Sequence, residues 1–357
     1  MKVLRAVDWP AACLVIIVGA LGGLAATLIG TPLPILLGSL LAVGGLALSG
    51  WQPFGITPSY PMRSRDFFIP IIGLSIGGAF TPGLLEQALS WWPSLLALVF
   101  YIPLVHLLTF AVARWVAGID RITAFYATTP GGLIEAMTFG DEAGADPALL
   151  ALLQFLRLAL TIVLIPIGFS ILGGAAVGSA AGMVIGGDVP LTPFEWVAMA
   201  LAGAVGFLGG RRIGLPAAVI TGPIILSGVL HATGIVEGSV PGWLIGVVQL
   251  VIGMTLGIRF VGRAPSIVLT AIRTALLTIP TMLAATGAAA FLLAPLSGVT
   301  WEAVYLAYAP GGLPEMTLVA LSLETSVVFV AFHHVARIML AVVWMQVLAG
   351  PVLQQRE

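Results

Sequence analysis

The stretch Pro130-Gly131-Gly132-Leu133-Ile134-Glu135 returns almost unchanged as Pro310-Gly311-Gly312-Leu313-Pro314-Glu315. Each copy interrupts an apolar segment, the first at about 121–140 and the second at about 301–322. Proline removes a backbone donor and clashes with the preceding helical turn, and the glycine pair permits a non-helical turn. Each segment is therefore predicted to form two half-helices on either side of a break.

The two copies belong to a longer duplication with a nearly constant offset of 180 residues. In both halves an arginine, Arg157 or Arg337, follows the glutamate of the motif by 22 residues. Further matched positions are Gly73, Gly77 and Phe80 with Gly253, Gly257 and Phe260, and, at an offset of 184, Pro32, Gly38 and Gly50 with Pro216, Gly222 and Gly234. A shared motif, arginine and glycine pair in one register establish an internal repeat.

The composition places the chain in a membrane. Of its 357 residues 59% are apolar and only 8% are charged, and the mean hydropathy is +1.12. A soluble domain carries about 25% charged residues, so this chain cannot cover a water-facing surface. A soluble enzyme and a basic nucleic-acid binder are excluded, and the long continuous apolar runs favour helices over a barrel. The fold class is predicted to be an all-α polytopic membrane protein.

Ten apolar segments are predicted to cross the membrane once each. They lie at about 10–30, 33–49, 66–81, 91–117, 147–171, 194–209, 216–234, 242–260, 264–293 and 326–349. Clusters of Lys and Arg alternate between them with stretches that have neither, which places both termini in the cytoplasm. If the interrupted segments also cross, a further helix is needed near 171–187, a Gly- and Ala-rich stretch that otherwise serves as a connection.

The alternation also predicts the domain organisation. The first repeat is 1–171, the linker is 172–193 and the second repeat is 194–357. Each repeat would hold about five to six helices. Five crossings in the first half make the second half begin on the opposite side, so the repeats are predicted to be inverted. Inverted repeats with interrupted helices are typical of secondary transporters, whose sites lie near the bilayer midplane.

The breaks supply the candidate binding residues. Glu135 and Glu315 lie in the first turn after each break, where they bind a proton, a cation or a cationic group, or else cap their own helices. Arg157 and Arg337 lie inside apolar helices, where they clamp a carboxylate or phosphate, or else neutralise a glutamate. Thr129, Tyr308 and His334 are further candidates to line the same cavity.

No enzyme motif and no cofactor site is predicted. Cys13 is the one cysteine, and His333 and His334 are adjacent on a predicted helix, so they point about 100° apart and do not form a metal site together. The partners expected are a small-molecule substrate, H⁺ or Na⁺ and the lipid bilayer, without nucleic acid. Gly19, Gly22 and Gly23 would permit close helix packing, including that of a homodimer.

The duplicated motif, the length and the composition resemble the AbrB family of bacterial inner-membrane proteins. That family is also labelled ammonia monooxygenase or ammonia monooxygenase regulator. At fold level it is similar to cation:proton antiporters, bile-acid symporters and auxin-efflux transporters. This resemblance implies a scaffold of helices near 10–49 and 194–234, a moving core that carries both breaks, and a location in the inner membrane.

The sequence therefore predicts a secondary active transporter of a small organic or anionic solute. It would work by alternating access, be coupled to protons or cations, and bind at the two broken helices. The alternative is a membrane sensor or regulator that affects gene expression through partners. A third interpretation, an integral oxygenase, follows only from one label of the family and needs metal ligands.

Overall fold

The computed structural model describes residues 8–79, 88–173, 189–215 and 217–354. Within these ranges the chain is helical and has no strand, apart from one isolated bridge between Pro190 and Ser239. The predicted all-α polytopic architecture is confirmed. The extra helix considered near 171–187 falls almost entirely outside the described residues.

The helices are numbered here in chain order. Their bounds are α1 Trp9–Ile29, α2 Pro34–Ser49, α3 Arg65–Gly77, α4 Trp92–Ala111, α5 Arg121–Ala127, α6 Leu133–Ala143, α7 Pro147–Gly173, α8 Pro193–Arg212, α9 Ala218–Ala232, α10 Gly242–Gly257, α11 Pro265–Ser297, α12 Trp301–Tyr308, α13 Leu313–Ser322 and α14 Val327–Gln354. Each of the ten predicted crossing segments contains one of the longer helices. α4 continues as a π-helix over Val112–Val116.

Among the described residues, seven helices are long and apolar enough to cross a membrane, namely α1, α4, α7, α8, α10, α11 and α14. Large apolar side chains also lie on the outside of the protein: Leu28 is 80% exposed and Phe291 is 81% exposed. Apolar groups in such numbers at the surface of long helices are stable in lipid rather than in water.

Local signals explain where several helices begin and end. The Asp8 side chain accepts a hydrogen bond from the Ala11 backbone at 3.2 Å, and Gly30 ends α1 in the left-handed region. α8 begins with a reciprocal capping box between Thr192 and Glu195. The second Glu195 oxygen accepts from the Glu237 backbone at 2.7 Å, so this carboxylate also ties a distant loop to the start of α8.

The helices form two compact units, and each unit takes helices from both halves of the duplication. The first unit contains α1–α3, the end of α7 and α8–α10. The second unit contains α4–α6, the greater part of α7, α11, α12, most of α13, and α14. Both interrupted segments therefore belong to the second unit.

Glycines hold the helices of the first unit close together, and they do so twice. A Cβ on Gly22 of α1 would collide with the backbone of Gly38 in α2. The matched residues Gly206 of α8 and Gly222 of α9 make the same backbone contact. The duplication is thus visible in packing as well as in sequence, because each copy excludes a side chain at the same place.

The same unit pairs helices from opposite halves. Gly73 of α3 lies against the Ile220 carbonyl of α9, and Gly253 of α10 lies against the Leu36 carbonyl of α2. Gly253 follows Gly73 by 180 residues and Ile220 follows Leu36 by 184, the two offsets of the repeat. Each half therefore packs its third long helix onto the second helix of the other half.

Candidate functional site

The first break lies between α5 and α6. Asp120 caps α5 by accepting a hydrogen bond from the Thr123 backbone at 2.9 Å, and α5 ends after seven residues. Gly132 takes a left-handed conformation with φ of 64°, and α6 starts at the next residue. The Thr128–Gly132 segment thus interrupts the helix where the Pro-Gly-Gly sequence, Pro130-Gly131-Gly132, requires it.

The second break repeats this arrangement between α12 and α13. Thr300 caps α12, which ends at Tyr308, and α13 begins at Leu313. Pro310, Gly311 and Gly312 lie in the interruption. Such a break leaves carbonyl groups without helical partners, and in a membrane those groups need another donor.

The two buried arginines supply that donor. Nη1 of Arg157 donates to the Thr129 carbonyl, and Nη1 of Arg337 donates to the Ala309 carbonyl. Both the donors and the acceptors are related by the offset of 180. The two side chains are 4% and 1% exposed. Each guanidinium therefore lies at the carbonyl end of the half-helix that its own repeat interrupts.

A second pair of matched side chains supports the same half-helices. Nε2 of Gln154 donates to the Tyr126 carbonyl at 2.7 Å, and Nε2 of His334 donates to the Leu306 carbonyl at 2.8 Å. Because Nε2 of His334 carries the proton, its Nδ1 is free to accept from Nη2 of Arg337, which lies 2.9 Å away. His334, predicted to line the cavity, links Arg337 to α12.

Arg337 is fixed more completely than Arg157. Its Nη2 also donates to the Gly311 carbonyl at 2.7 Å, so its two terminal nitrogens contact three groups. The Arg157 guanidinium makes one hydrogen bond, to Thr129, within the part of the chain that the structure describes. The two repeats thus place the same residue at the same position but engage it differently.

The two breaks also lie next to each other. A Cβ on Gly131 would meet the Ala341 side chain at 3.2 Å and the Arg337 carbonyl oxygen at 3.5 Å, so the first break rests on α14. The side chain of the same Arg337 binds the second break. One turn of α14 therefore contacts both interruptions, which brings them to a common place.

Each glutamate of the motif lies over its own break. The Glu315 side chain is 1% exposed, and its carboxylate occupies the space that a Cβ on Gly312 would need. Oε2 of the partly exposed Glu135 lies 3.4 Å from the corresponding position at Gly132. Both carboxylates are at the N-terminal end of the following half-helix, the placement expected of the capping alternative.

The remaining predicted residues hold the breaks in place. Oγ1 of Thr129 donates to the Phe125 carbonyl at 3.3 Å. Tyr308 is fully buried, its hydroxyl donates to the Ser94 carbonyl, and its ring lies edge-on to Tyr101 with centroids 4.9 Å apart. Each of these two hydroxyls already donates its proton to a backbone carbonyl.

Helix α4 supports both breaks through residues that no sequence motif marks. Toward the second break, the Tyr101 hydroxyl lies 2.7 Å from Oγ1 of Thr286 and 3.4 Å from the Tyr308 carbonyl. Toward the first break, Nε2 of His106 donates to the Phe125 carbonyl at 2.8 Å, and its Nδ1 accepts from Trp344 at 3.0 Å. Polar residues spaced along an otherwise apolar helix are the signal that could have found them.

His333 and His334 have different hydrogen-bond partners. Nδ1 of His333 donates to the Phe329 carbonyl at 2.9 Å, and its Nε2 lies 2.8 Å from Oγ of Ser94. Among the described residues, no three His, Cys, Asp or Glu side chains come together as metal ligands would.

Comparison with known proteins identifies the family to which this chain is similar. The family described as transition state regulatory protein AbrB matches residues 54–352. “Uncharacterized protein YhjN” of Bacillus subtilis (strain 168) is 24% identical over 342 residues, covering 92% of this chain and 89% of that protein. “Putative regulator AbrB” of Escherichia coli (strain K12) is 26% identical over 319 residues, covering 88% and 87%. No solved structure matches.

Proposed function

The chain belongs to the AbrB family, and we propose that it is a secondary active transporter of a small organic or anionic solute. One observation carries the proposal. Two interrupted helices meet in one compact unit, and a buried arginine binds the open carbonyls of each. Non-helical backbone at membrane depth persists where protein or an aqueous cavity satisfies it, and such sites in transporters bind solutes.

Alternating access follows from the duplication. If the two repeats are inverted, the half-helices α5 and α12 enter from opposite faces of the membrane and end at the common site. A solute held between the breaks is then exchanged from one face to the other by a movement of nearly symmetric parts. We infer that the protein lies in the inner membrane. We also infer that Glu135 and Glu315 couple transport to protons or cations.

The experiment begins with ligand discovery. The detergent-purified protein is screened for thermal stabilisation by carboxylates, inorganic anions, amines and amino acids, because a ligand at 100 times its Kd stabilises the folded state by about 2.7 kcal/mol. The hit is then measured as radiolabelled uptake into proteoliposomes. We expect uptake to fall at least about tenfold in Arg157→Lys, because an ammonium cannot replace the planar fork of a guanidinium.

A matched control is Arg212→Lys, which alters an exposed arginine at the end of α8 and should leave uptake unchanged. Coupling is tested separately in Glu135→Gln with Glu315→Gln, where an imposed ion gradient should no longer drive accumulation. Uptake that is equal in all of these variants would contradict the assignment of the site to the broken helices, and the absence of uptake for every stabilising ligand would contradict the transporter proposal.

The printed name of the Escherichia coli relative favours a second candidate, a membrane regulator that senses a ligand and alters gene expression. This candidate predicts that deletion of the gene changes transcript levels, that Arg157→Lys causes the same change, and that the purified protein gives no flux across proteoliposomes. A transporter predicts flux from the purified protein alone. The two measurements together separate the candidates.

A further inference from the structure

We propose that the anionic group of the solute binds at the first break only, on the open edge of Arg157, and reaches it along one face of α11 from a groove at Arg273. This inference rests on the proposed transport function and adds the chemistry of the solute, an oxyanion such as a carboxylate. It also adds an entry route made of residues outside the duplicated motif.

Arg157 has one edge of its guanidinium without a hydrogen-bond partner among the described residues. Its Nη1 is engaged by the Thr129 carbonyl, while its buried Nε has no hydrogen-bond partner. No hydrogen bond engages its Nη2 in the described part of the chain. The Nε–Nη2 edge of a guanidinium matches the two oxygens of a carboxylate. At Arg337 the corresponding Nη2 is already held by Gly311 and His334, so that edge cannot be used in this way.

The reason for the difference lies in the residue three positions earlier. His334 offers Nδ1 to Arg337, whereas Gln154 donates through Nε2 and leaves its buried Oε1 without a partner. The second repeat therefore closes its arginine with an internal acceptor. The first repeat leaves donor and acceptor capacity unused in a buried place, and such groups are costly unless a ligand or water satisfies them.

Arg157 also lines a small cavity. It has a volume of about 10 Å³, enough for one water-sized group, and lies between the first break and α11. Its polar lining consists of Arg157, Thr128, Thr274 and Thr278. A carboxylate is larger than this volume, so it enters only when the α11 side chains give way. Met282, which also lines it, has an unbranched flexible side chain suited to such a movement.

Three threonines connect the cavity to the surface. Thr270, Thr274 and Thr278 recur every four residues and lie on one face of α11. Thr270 is exposed, whereas Thr274 and Thr278 are 1% and 6% exposed. Each hydroxyl donates to the carbonyl four residues earlier, at 2.9–3.0 Å. A hydroxyl rotates at little cost and can donate to a passing anion instead.

The outer end of this face opens into a groove of about 490 Å³. Thr274 lines both the groove and the inner cavity. The groove also contains the exposed Arg273, and no hydrogen bond or ion pair occupies its guanidinium among the described residues. The remaining lining is Val116, Ala117, Thr270, Leu276 and Leu277. One unpaired cation in an apolar groove attracts anions and repels cations.

The test measures how fast reagents of opposite charge reach positions on α11, and it does not depend on transport. In a Cys13→Ala background, Thr270→Cys and Thr274→Cys are each reacted with a methanethiosulfonate bearing a sulfonate or a trimethylammonium group. Leu269→Cys, an exposed position at the same depth but on another face of α11, is the matched control. Size-exclusion profiles and thermal melts confirm that each variant is folded before rates are compared.

We expect the sulfonate reagent to react about tenfold faster than the cationic reagent at Thr270→Cys, relative to the same ratio at Leu269→Cys. Adding Arg273→Gln should remove this preference. Acetate should slow the reaction at Thr274→Cys, and this protection should vanish when Arg157→Lys is added. Equal rates for the two reagents, or no acetate protection, would overturn the inference.

A lipid phosphate has the same oxyanion chemistry, so the reaction is repeated in nanodiscs of phosphatidylcholine with and without phosphatidylglycerol. Protection by phosphatidylglycerol without protection by acetate would assign the groove to a lipid headgroup and overturn the entry route. If uptake survives Arg273→Gln while labelling shows no charge preference, transport stands and the route fails. Charge preference and acetate protection without flux would keep the site and remove transport.

Discussion

The first and second breaks share a sequence, a position in the repeat and an arginine that binds the interrupted carbonyls, yet they differ in what is left over. At the second break Arg337 contacts Ala309, Gly311 and His334. At the first break the Arg157 guanidinium hydrogen-bonds only Thr129 among the described residues and lines a small cavity. A duplicated motif can thus keep its structural task in both copies while, within the described chain, the arginine Nη2 is engaged at the second break only, although Nε is without a partner in both.

The largest effect that separates the two breaks should come from removing each arginine. Arg337→Met leaves three buried acceptors unpaired and should lower the free energy of unfolding by about 3 kcal/mol or more, since each buried unpaired group costs about 1–3 kcal/mol. Arg157→Met leaves one and should cost about 1–3 kcal/mol. Thermal melts in detergent compare them, with Arg212→Met as control. Equal losses would show that the arginines are equally engaged.

Substitution of the break glycines should have the next largest effect. Gly132→Ala places a Cβ in the left-handed region and should cost about 1–2 kcal/mol. Gly312→Ala should instead displace the Glu315 carboxylate, so Glu315→Ala should reverse part of its cost in a double-mutant cycle. The melting temperatures of the wild type, Gly312→Ala, Glu315→Ala and the double variant give the coupling between the two residues. Strict additivity of Gly312→Ala and Glu315→Ala would mean that the carboxylate lies elsewhere.

An exchange of the residues that precede the arginines sharpens the comparison most directly. His334→Gln removes the acceptor of Arg337 and should destabilise the protein by about 1 kcal/mol. Gln154→His supplies an acceptor to Arg157 and should weaken acetate protection at Thr274→Cys while leaving the fold stable. Melting curves and reaction rates measure the two effects. Unchanged acetate protection in Gln154→His would contradict the importance of the free edge.

The smallest expected effects concern the support from α4. Tyr101→Phe removes the 2.7 Å contact with Thr286 near the second break and should cost about 1 kcal/mol. Thr109→Ala loses a contact of 3.5 Å with the Thr128 carbonyl at the first break, a poor hydrogen bond, so that part of its effect should be slight. Melting temperatures of the two variants measure these losses. A larger loss in Thr109→Ala than in Tyr101→Phe would mean that α4 supports the first break more strongly than the second.

The sequence by itself determined the all-α membrane architecture, the ten longer helices and the internal repeat. The length of an apolar segment and the loss of a backbone donor at proline act locally. Their effects can therefore be predicted from the sequence without knowledge of tertiary contacts. For Arg157 and Arg337 the sequence allows two partners, a substrate anion or a glutamate. The observed partners, Thr129 and Ala309, are backbone carbonyls, and no sequence pattern marks a carbonyl as an acceptor.

Only the tertiary structure decided how the repeats differ. Gln154 and His334 occupy matched positions, but whether either satisfies its arginine depends on the tautomer and on side-chain distances across one turn. The spacing of four predicts that Thr270, Thr274 and Thr278 lie on one face of a helix. Whether that face leads to a binding site depends on which parts of the protein pack against it. Hydrogen bonds act over about 3 Å, so residues more than a hundred positions apart acquire a role only when packing brings them together.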